Sequence, residues 1–180
     1  MKDALAIHRM LLERETLHEI VRLPRAIANA DELPKVLGLP AKHCLATRVY
    51  VVSPAPQGEQ HLAAVVVTAG VRLKTDSLLA PLGAHTVRPA ATDAVNIATE
   101  YAAGLVAPLL LPEGMPVLIE QRVIDSLDVD DVVYTATGEP RTALGIRALD
   151  LFALSGAKPV DLPPTTPVLR RGRGRRSGTR

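Results

Sequence analysis

Two valine-rich runs, separated by a segment of turn-forming residues, constrain the fold of this chain more than any other feature. The first run, CLATRVYVV, covers residues 44–52, and the second, HLAAVVVTA, covers residues 61–69. Each run has the length and the β-branched content of a strand, and the segment between them contains two prolines and a glycine. The pattern predicts a β-hairpin whose second strand is buried on both faces of a sheet.

The rest of the chain alternates helical and strand-like patterns. Strands outnumber what a helix bundle allows, and the hairpins argue against a fully parallel, doubly wound sheet. The sequence therefore predicts an α+β domain. Helices are expected over residues 3–15, from a cap at Asn29 or Asp31 to Leu37 with Gly38 as the stop, from Thr75 or Asp76 to Gly83, over 91–101 with Thr92 as the cap, and over 147–154; further strands are expected over 18–23, 85–89, 117–124, 132–137 and 141–146.

Charge divides the chain into a body, residues 1–157, and a tail, residues 158–180, that is rich first in proline and then in arginine. Six of the 21 basic residues lie from Arg170 onward, where there is no acid, so 15 basic residues face 19 acidic ones before it. We expect the tail to be disordered and suited to phosphate backbones, although such a tail can also serve only solubility. The predicted nucleic-acid contacts here are Arg170, Arg171, Arg173, Arg175 and Arg176.

Several classes of function are disfavoured by what the sequence lacks. It contains neither a glycine-rich dinucleotide motif nor a phosphate loop, and its five histidines have no metal-ligand spacing, so neither a cofactor nor a metal is expected. Four aromatic residues cannot build a base-stacking sheet. The chain has no long apolar run and no apolar leader segment, so we expect no membrane partner and a cytoplasmic location.

One loop, Gly104-Leu105-Val106-Ala107-Pro108, is the strongest candidate for chemistry. Glycine allows a backbone to approach a ligand closely, and proline stiffens the loop. Such a loop can present backbone N–H groups to an ester carbonyl. The spacing alone is not specific, because any tight connection could use it.

In its context this loop resembles the G-G-V-S-P loop of a known family. Residues 5–155 resemble the YbaK family of aminoacyl-tRNA deacylases, which is also found as the editing insertion of bacterial prolyl-tRNA synthetases. The resembling segments follow one another in the family's order: Leu37-Gly38-Leu39-Pro40, strand 44–52, Val71-Arg72-Leu73-Lys74, the 104–108 loop, Pro116 to Glu120, Thr137-Gly138, and Leu144 to Leu154 with its Asp150-Leu151 pair.

The resemblance implies an α+β fold with a mixed, partly barrel-like sheet surrounded by helices. It also implies trans-editing, in which an ester hydrolase releases a mischarged amino acid from tRNA without a cofactor or metal. The implied partners are a mischarged tRNA and an aminoacyl-tRNA synthetase, and no DNA. Two alternatives stay open: an inactive relative that binds tRNA or a synthetase, and an unrelated α+β domain that binds a small molecule.

The chain departs from the family at the site itself. A lysine-threonine pair of the family corresponds to Ala46-Thr47, so the ammonium group is missing, and Arg48 lies on the same strand face as Ala46. Leu105 replaces the second glycine of the loop, and Glu120 replaces an aspartate. The residues assigned by the resemblance are Thr47 and Gly104 for catalysis, and Ala46, Leu105, Val106, Ala107, Pro108, Glu120 and Gly138 for substrate binding. Arg48 is a further catalytic candidate because it could supply the missing cation; the alternative is a surface residue on an edge strand. Arg72 and Lys74 are the predicted RNA contacts of the body.

Overall fold

A long antiparallel hairpin forms the centre of the structure, which is a computed structural model describing residues 1–163. The hairpin lies in the mixed one of two sheets, which confirms the predicted α+β fold with a mixed sheet. The expected barrel-like character is not found within the described residues, because the strands form two separate sheets that do not close. The strands are β1 (His18–Arg22), β2 (Leu45–Ser53), β3 (His61–Thr68), β4 (Thr86–Pro89), β5 (Val117–Glu120), β6 (Val132–Ala136), β7 (Thr142–Arg147) and β8 (Lys158–Val160). The α-helices are α1 (Ala4–Glu13), α2 (Leu33–Leu37), α3 (Thr92–Thr99), α4 (Gln121–Asp125) and α5 (Ala148–Ser155).

The five-stranded sheet has the order β4-β2-β3-β5-β8 and mixes antiparallel and parallel pairs. Strands β2 and β3 pair from Leu45 opposite Thr68 to Val52 opposite His61, as the valine-rich runs predict. Strands β3 and β5 pair in parallel, and so do β5 and β8. The central part of β3 is fully buried, because the sheet is covered on both faces. The second sheet is antiparallel, with the order β1-β7-β6.

Strand β2 divides the hydrophobic core into two clusters, because successive side chains of a strand point to opposite faces. Leu45 and Val49 pack in one cluster together with α1, α5 and most of the second sheet. Cys44, Ala46 and Tyr50 pack in the other cluster, under the segments that precede and follow the hairpin. The two faces of one strand therefore lead to different surroundings, which determines what each candidate site residue can contact.

Local signals account for several element ends. Asn29 Oδ1 accepts a hydrogen bond from the N–H of Asp31 and caps the short 3₁₀ turn Ala30–Glu32 that leads into α2. Gly38 ends α2 in the left-handed conformation, with φ +65°, as predicted. Ala91 rather than Thr92 is the N-cap of α3, so the predicted cap lies one residue too late. The helix expected to run to Gly83 is a 3₁₀ turn, Thr75–Leu78, followed by further turns.

The strand predicted over 117–124 is wrong in its second half. Strand β5 ends at Glu120, and the chain turns directly into α4. The turn lets Val123 point into the core, and Arg122 Nε lies 3.2 Å from the carboxylate of Glu120. A single apolar run cannot distinguish one strand from a short strand followed by one helical turn.

The C-terminal part of the described chain belongs to the sheet. Strand β8 begins at Lys158, one residue after the predicted boundary at 157, and pairs with β5. Leu162 is buried, and its carbonyl accepts a hydrogen bond from Arg122. The tail arginines from Arg170 onward lie outside the described residues. Between residues 1 and 163, no helix is long and apolar enough to cross a membrane.

Candidate active site

A cavity of about 280 Å³ lies beside β2, where five of the predicted site residues meet. Its walls come from β2, from the segment after β3, from the start of α3, and from the glycine loop. The predicted residues that line it are Thr47, Arg48, Arg72, Gly104 and Val106. Segments separated by more than 50 residues in the sequence therefore form one concave surface.

Gly104 stands at the cavity wall in a conformation that requires glycine. Its φ is +84°, and a Cβ atom built on it would lie 2.9 Å from the carbonyl oxygen of Ala28 and 3.2 Å from Cβ of Asn29. The carbonyl of Gly104 also accepts a hydrogen bond from the N–H of Ala30 at 2.9 Å. Gly104 thus approaches the backbone of the segment that leads into α2 and joins the loop to it, whereas its close approach to a ligand stays a prediction.

The rest of the loop is packed into the core and leaves one backbone donor at the cavity. Leu105, Val106, Ala107 and Pro108 are all buried. The N–H of Leu105 donates to Ala102, whereas the N–H of Val106 donates to no acceptor within residues 1–163. Gly104 and Val106 both line the cavity, and the N–H of Gly104 likewise donates to no acceptor within residues 1–163, so these two groups are the loop donors available to a carbonyl oxygen bound there. Leu105, Ala107 and Pro108 do not line the cavity; their side chains are buried in the protein interior.

Thr47 and Ala46 lie on opposite faces of β2. Thr47 lines the cavity, and its hydroxyl oxygen is buried with no hydrogen-bond partner within the described chain. Ala46 is 2% exposed and packs in the cluster that contains Cys44 and Leu105. The space beside Ala46 is therefore occupied by apolar side chains, and Ala46 does not line the cavity.

Arg48 is tied to a carboxylate that the resemblance does not point to. Its two terminal nitrogens donate to the two oxygens of Asp31, at 3.0 and 2.8 Å, and Nη2 also donates to the carbonyl of Val71 at 2.8 Å. The N–H of Gly70 donates to Asp31 Oδ1, and Arg72 Nη2 lies 3.5 Å from Oδ2. One carboxylate thus receives three hydrogen bonds and neighbours two guanidinium groups.

Electrostatics keep Asp31 ionised. Partial burial raises the pKa of its carboxyl group, but the hydrogen bonds from Arg48 and Gly70 and the charges of Arg48 and Arg72 outweigh burial, so the pKa lies below the usual 3.8. In the sequence, Asp31 has only the pattern of a helix cap. Its place opposite Arg48 gives no local signal, because the two residues lie 17 positions apart on different elements.

The two predicted RNA-binding residues of the body are both exposed. The side chain of Arg72 is 77% exposed, and Arg72 also lines the cavity. Lys74 is exposed two positions further along the chain. Both therefore stand near the cavity mouth on the same segment, Val71–Lys74.

Glu120 and Gly138 do not line the cavity. Glu120 is 5% exposed at the end of β5 and pairs with Arg122. Gly138 has φ +95° in the β6–β7 turn and packs against the carbonyl of Lys2 and the ring of Tyr101. This close packing is a sufficient reason for a glycine at position 138, and no contact with a ligand is needed to account for it.

Cys44 does not have the properties of a nucleophile. It is fully buried, and burial raises the pKa of its thiol to about 11. At neutral pH it is therefore a protonated, small apolar side chain.

The fold and the cavity together define the class of this protein. It is an α+β protein with a YbaK-like arrangement of two sheets, in which a glycine loop and the central strand enclose a cavity with a basic mouth. The sequence profile of the aminoacyl-tRNA editing domain matches residues 24–154. The chain belongs to this family, and the resemblance seen in the sequence is confirmed.

Solved structures support the same fold. A candidate trans-editing enzyme for prolyl-tRNA synthetase is 22% identical, with a TM-score of 0.70 over 88% of this chain and 95% of that chain. The hypothetical protein APE2540 is also 22% identical, with a TM-score of 0.72 over 87% of this chain and 97% of the other. A candidate signal transduction protein from Marinobacter aquaeolei VT8 is 20% identical, with a TM-score of 0.55 over 87% of this chain but 30% of that one. No curated protein sequence matches significantly.

Proposed function

We propose that this protein is an aminoacyl-tRNA deacylase, which hydrolyses the ester between a mischarged amino acid and the 3′ end of tRNA. The observation that carries the proposal is the cavity, where Thr47, Gly104 and Val106 surround a space large enough for a small acyl group. Membership of the editing domain family is consistent with this substrate.

The chemistry requires a water molecule to add to the ester carbonyl carbon. The carbonyl oxygen then carries negative charge, which the N–H of Val106 can stabilise by hydrogen bonding. The bond from carbon to the ribose oxygen breaks, and the ribose oxygen takes a proton, so that the products are a free amino acid and a deacylated tRNA. The neighbouring hydroxyl of the ribose can hold the attacking water, and so can the Thr47 hydroxyl once its side chain rotates toward the cavity.

Selection of the acyl group follows from the cavity walls. Val49, Val95 and Ala103 make part of the lining apolar, and the residues that line the cavity include no acid. A small uncharged side chain fits such a surface, and a cationic one would be desolvated without a counter-charge. Size and apolarity, rather than specific hydrogen bonds, would therefore set the preference among amino acids.

The acylated RNA end would enter from the basic mouth of the cavity. Arg72 and Lys74 stand there, and the tail arginines Arg170, Arg171, Arg173, Arg175 and Arg176 would add contacts to phosphates further along the tRNA. Deleting residues 170–180 should weaken tRNA affinity and reduce its dependence on salt. Equal affinity and equal salt dependence in the truncated protein would show that the tail does not contact RNA.

Two observations favour a second function, a binding protein without hydrolytic activity. Ala46 lacks the ammonium group of the family motif, and Arg48, the nearest cation on the same face, is engaged by Asp31. In this alternative the cavity holds the RNA end, or a synthetase binds the domain, and no ester is broken.

Incubation of the full-length protein with alanyl-, seryl- and cysteinyl-tRNA(Pro) separates the two functions. Ester loss above the rate in buffer supports the deacylase, and tRNA binding without turnover supports the binding protein. Neither binding nor turnover would contradict both, and would favour an unrelated small-molecule site.

A matched pair of variants tests the role of Thr47. Thr47→Val removes a buried, unpartnered hydroxyl at the cavity, and Thr135→Val removes another buried, unpartnered hydroxyl from β6, away from the cavity. If the Thr47 hydroxyl positions water, only the first variant should slow deacylation, by about 10- to 100-fold. Equal rates in the two variants would exclude that role.

A further inference from the structure

The carboxylate of Asp31 joins the parts of the chain that form the cavity mouth. Asp31 lies in the 3₁₀ turn before α2, its side chain is 16% exposed, and it accepts hydrogen bonds from Arg48 of β2 and from the N–H of Gly70. Arg48 in turn donates to the carbonyl of Val71, so the turn after β3 is held at both Gly70 and Val71. The residue that follows, Arg72, contacts the same carboxylate.

We propose that Asp31 is a positioning residue for RNA binding. Together with Arg48 it fixes the turn at Gly70 and Val71, and so holds Arg72 at the cavity mouth, where Arg72 meets the phosphate of the terminal nucleotide. This inference rests on the proposed function, because an acyl group inside the cavity places its ribose and phosphate at the mouth. Asp31 itself does not touch the RNA. It acts through the two guanidinium groups and through the turn that carries Arg72.

Removing the charge of Asp31 should change the affinity for RNA in the direction opposite to the one that net charge alone predicts. Asp31 is an acid beside the path of a polyanion, so removing its charge should strengthen RNA binding if only net charge matters. If Asp31 instead fixes the arginines, removing its charge should weaken binding, because both guanidinium groups lose their counter-charge and the Oδ2 atom that faces Arg48 Nη1 and Arg72 no longer accepts. A preorganised arginine loses less conformational entropy on binding a phosphate than a mobile one.

The experiment measures the affinity of the full-length protein for uncharged tRNA(Pro) and the deacylation kinetics on alanyl-tRNA(Pro). Asp31→Asn keeps the size of the side chain and removes the charge, and Asp31→Glu keeps the charge. Asp76→Asn is the matched control, since it removes an exposed carboxylate from the neighbouring 3₁₀ turn. We expect Asp31→Asn to weaken tRNA binding about 5- to 20-fold and to raise KM more than it lowers kcat. Asp31→Glu should recover part of the loss, and Asp76→Asn should bind as tightly as the wild type or more tightly.

Two further measurements separate positioning from a general loss of structure. Amide hydrogen exchange should become faster at residues 70–75 in Asp31→Asn and stay unchanged in α1. In an Arg72→Gln background, which changes a largely exposed side chain, Asp31→Asn should have a smaller effect on tRNA affinity than in the wild type. Such coupling requires that Asp31 act partly through Arg72.

The outcomes distinguish this inference from the proposed function. If the wild type hydrolyses alanyl-tRNA(Pro) and Asp31→Asn binds tRNA as tightly as the wild type, the positioning role is wrong and the deacylase stands. If the wild type binds tRNA without hydrolysis, the deacylase is wrong, and the affinities of the same variants still decide the role of Asp31. If the wild type neither binds nor hydrolyses, both fail.

Discussion

Gly104→Ala tests whether the glycine loop is held in place by the backbone contact that the structure shows. The new methyl group would have two costs. An alanine at φ +84° loses about 1–2 kcal/mol relative to a glycine, because its Cβ crowds the following carbonyl. The same Cβ would lie 2.9 Å from the Ala28 carbonyl oxygen, so the backbone must move, which costs about a further 1–3 kcal/mol.

Gly114→Ala is the matched control, because it separates these two costs. Gly114 has φ +80°, but a Cβ built on it has no heavy atom within 4 Å. Both variants also restrict the unfolded chain to the same degree, which offsets about 0.4–1 kcal/mol in each. The difference between the two variants therefore isolates the contact with Ala28, and we expect Gly104→Ala to be less stable by about 1–3 kcal/mol.

Urea unfolding followed by far-ultraviolet circular dichroism measures this difference, since the chain has no tryptophan to serve as a fluorescent probe. The midpoint should fall further in Gly104→Ala than in Gly114→Ala, with an unchanged slope in both. In thermal unfolding the gap corresponds to about 2–12 °C for a chain of this size. Equal midpoints would show that the loop adjusts without a loss of stability, and that the contact of Gly104 with Ala28 does not require glycine.

Three further predictions follow from buried or paired groups. Cys44, fully buried and with a pKa of about 11, should not react with a thiol reagent at pH 8 in the folded protein and should react on unfolding; rapid reaction of the native protein would contradict its burial. Folding lowers the pKa of Asp31, so the contribution of Asp31 to the free energy of unfolding is complete above pH 3.8 and is lost as the pH falls through the lower pKa of the folded state. Asp31→Asn should therefore flatten the acid side of the curve of unfolding free energy against pH. Parallel curves for the variant and the wild type would exclude this contribution. Ala46→Lys places an ammonium group in an apolar cluster, so it should lower the melting temperature strongly. An unchanged melting temperature together with faster deacylation would contradict this expectation and show that the new side chain reaches the cavity.

Local signals in the sequence were sufficient for the elements whose partners are near in the chain. The β2–β3 hairpin follows from two valine runs and the turn between them, and the end of α2 follows from Gly38. The parallel pairs β3–β5 and β5–β8 could not be predicted in this way, because they join segments that lie far apart and have no common turn. Contacts between segments far apart in the chain also explain the error at 117–124. Val123 is buried in a helix because it packs into the core cluster that contains Leu45 and Val49, and the local sequence does not show this contact.

The site was predictable where the family motif carries it and not where this chain has its own contacts. Thr47, Gly104 and Val106 were assigned by the order of the motifs, and the structure brings them to one cavity. Glu120 and Gly138 were assigned in the same way, but they stand elsewhere, and close packing accounts for Gly138. Asp31 was missed as a partner of Arg48, because the sequence pattern at residues 29–31 is already explained by helix capping.

The Asp31 cluster also bears on the missing lysine. Arg48, Arg72 and Asp31 carry charges of +1, +1 and −1 when all three are ionised, so together they leave one net positive charge at the cavity mouth. A lysine at position 46 would bring the same net charge, but on a strand face where Ala46 is now sealed by apolar side chains. Arg48 lines the cavity, but its two terminal nitrogens are held by Asp31 and by the carbonyl of Val71. If the protein is a deacylase, we therefore expect backbone N–H groups of the glycine loop to stabilise the oxyanion, and the rate should respond more to changes at residues 104–106 than to charge-removing changes at Arg72.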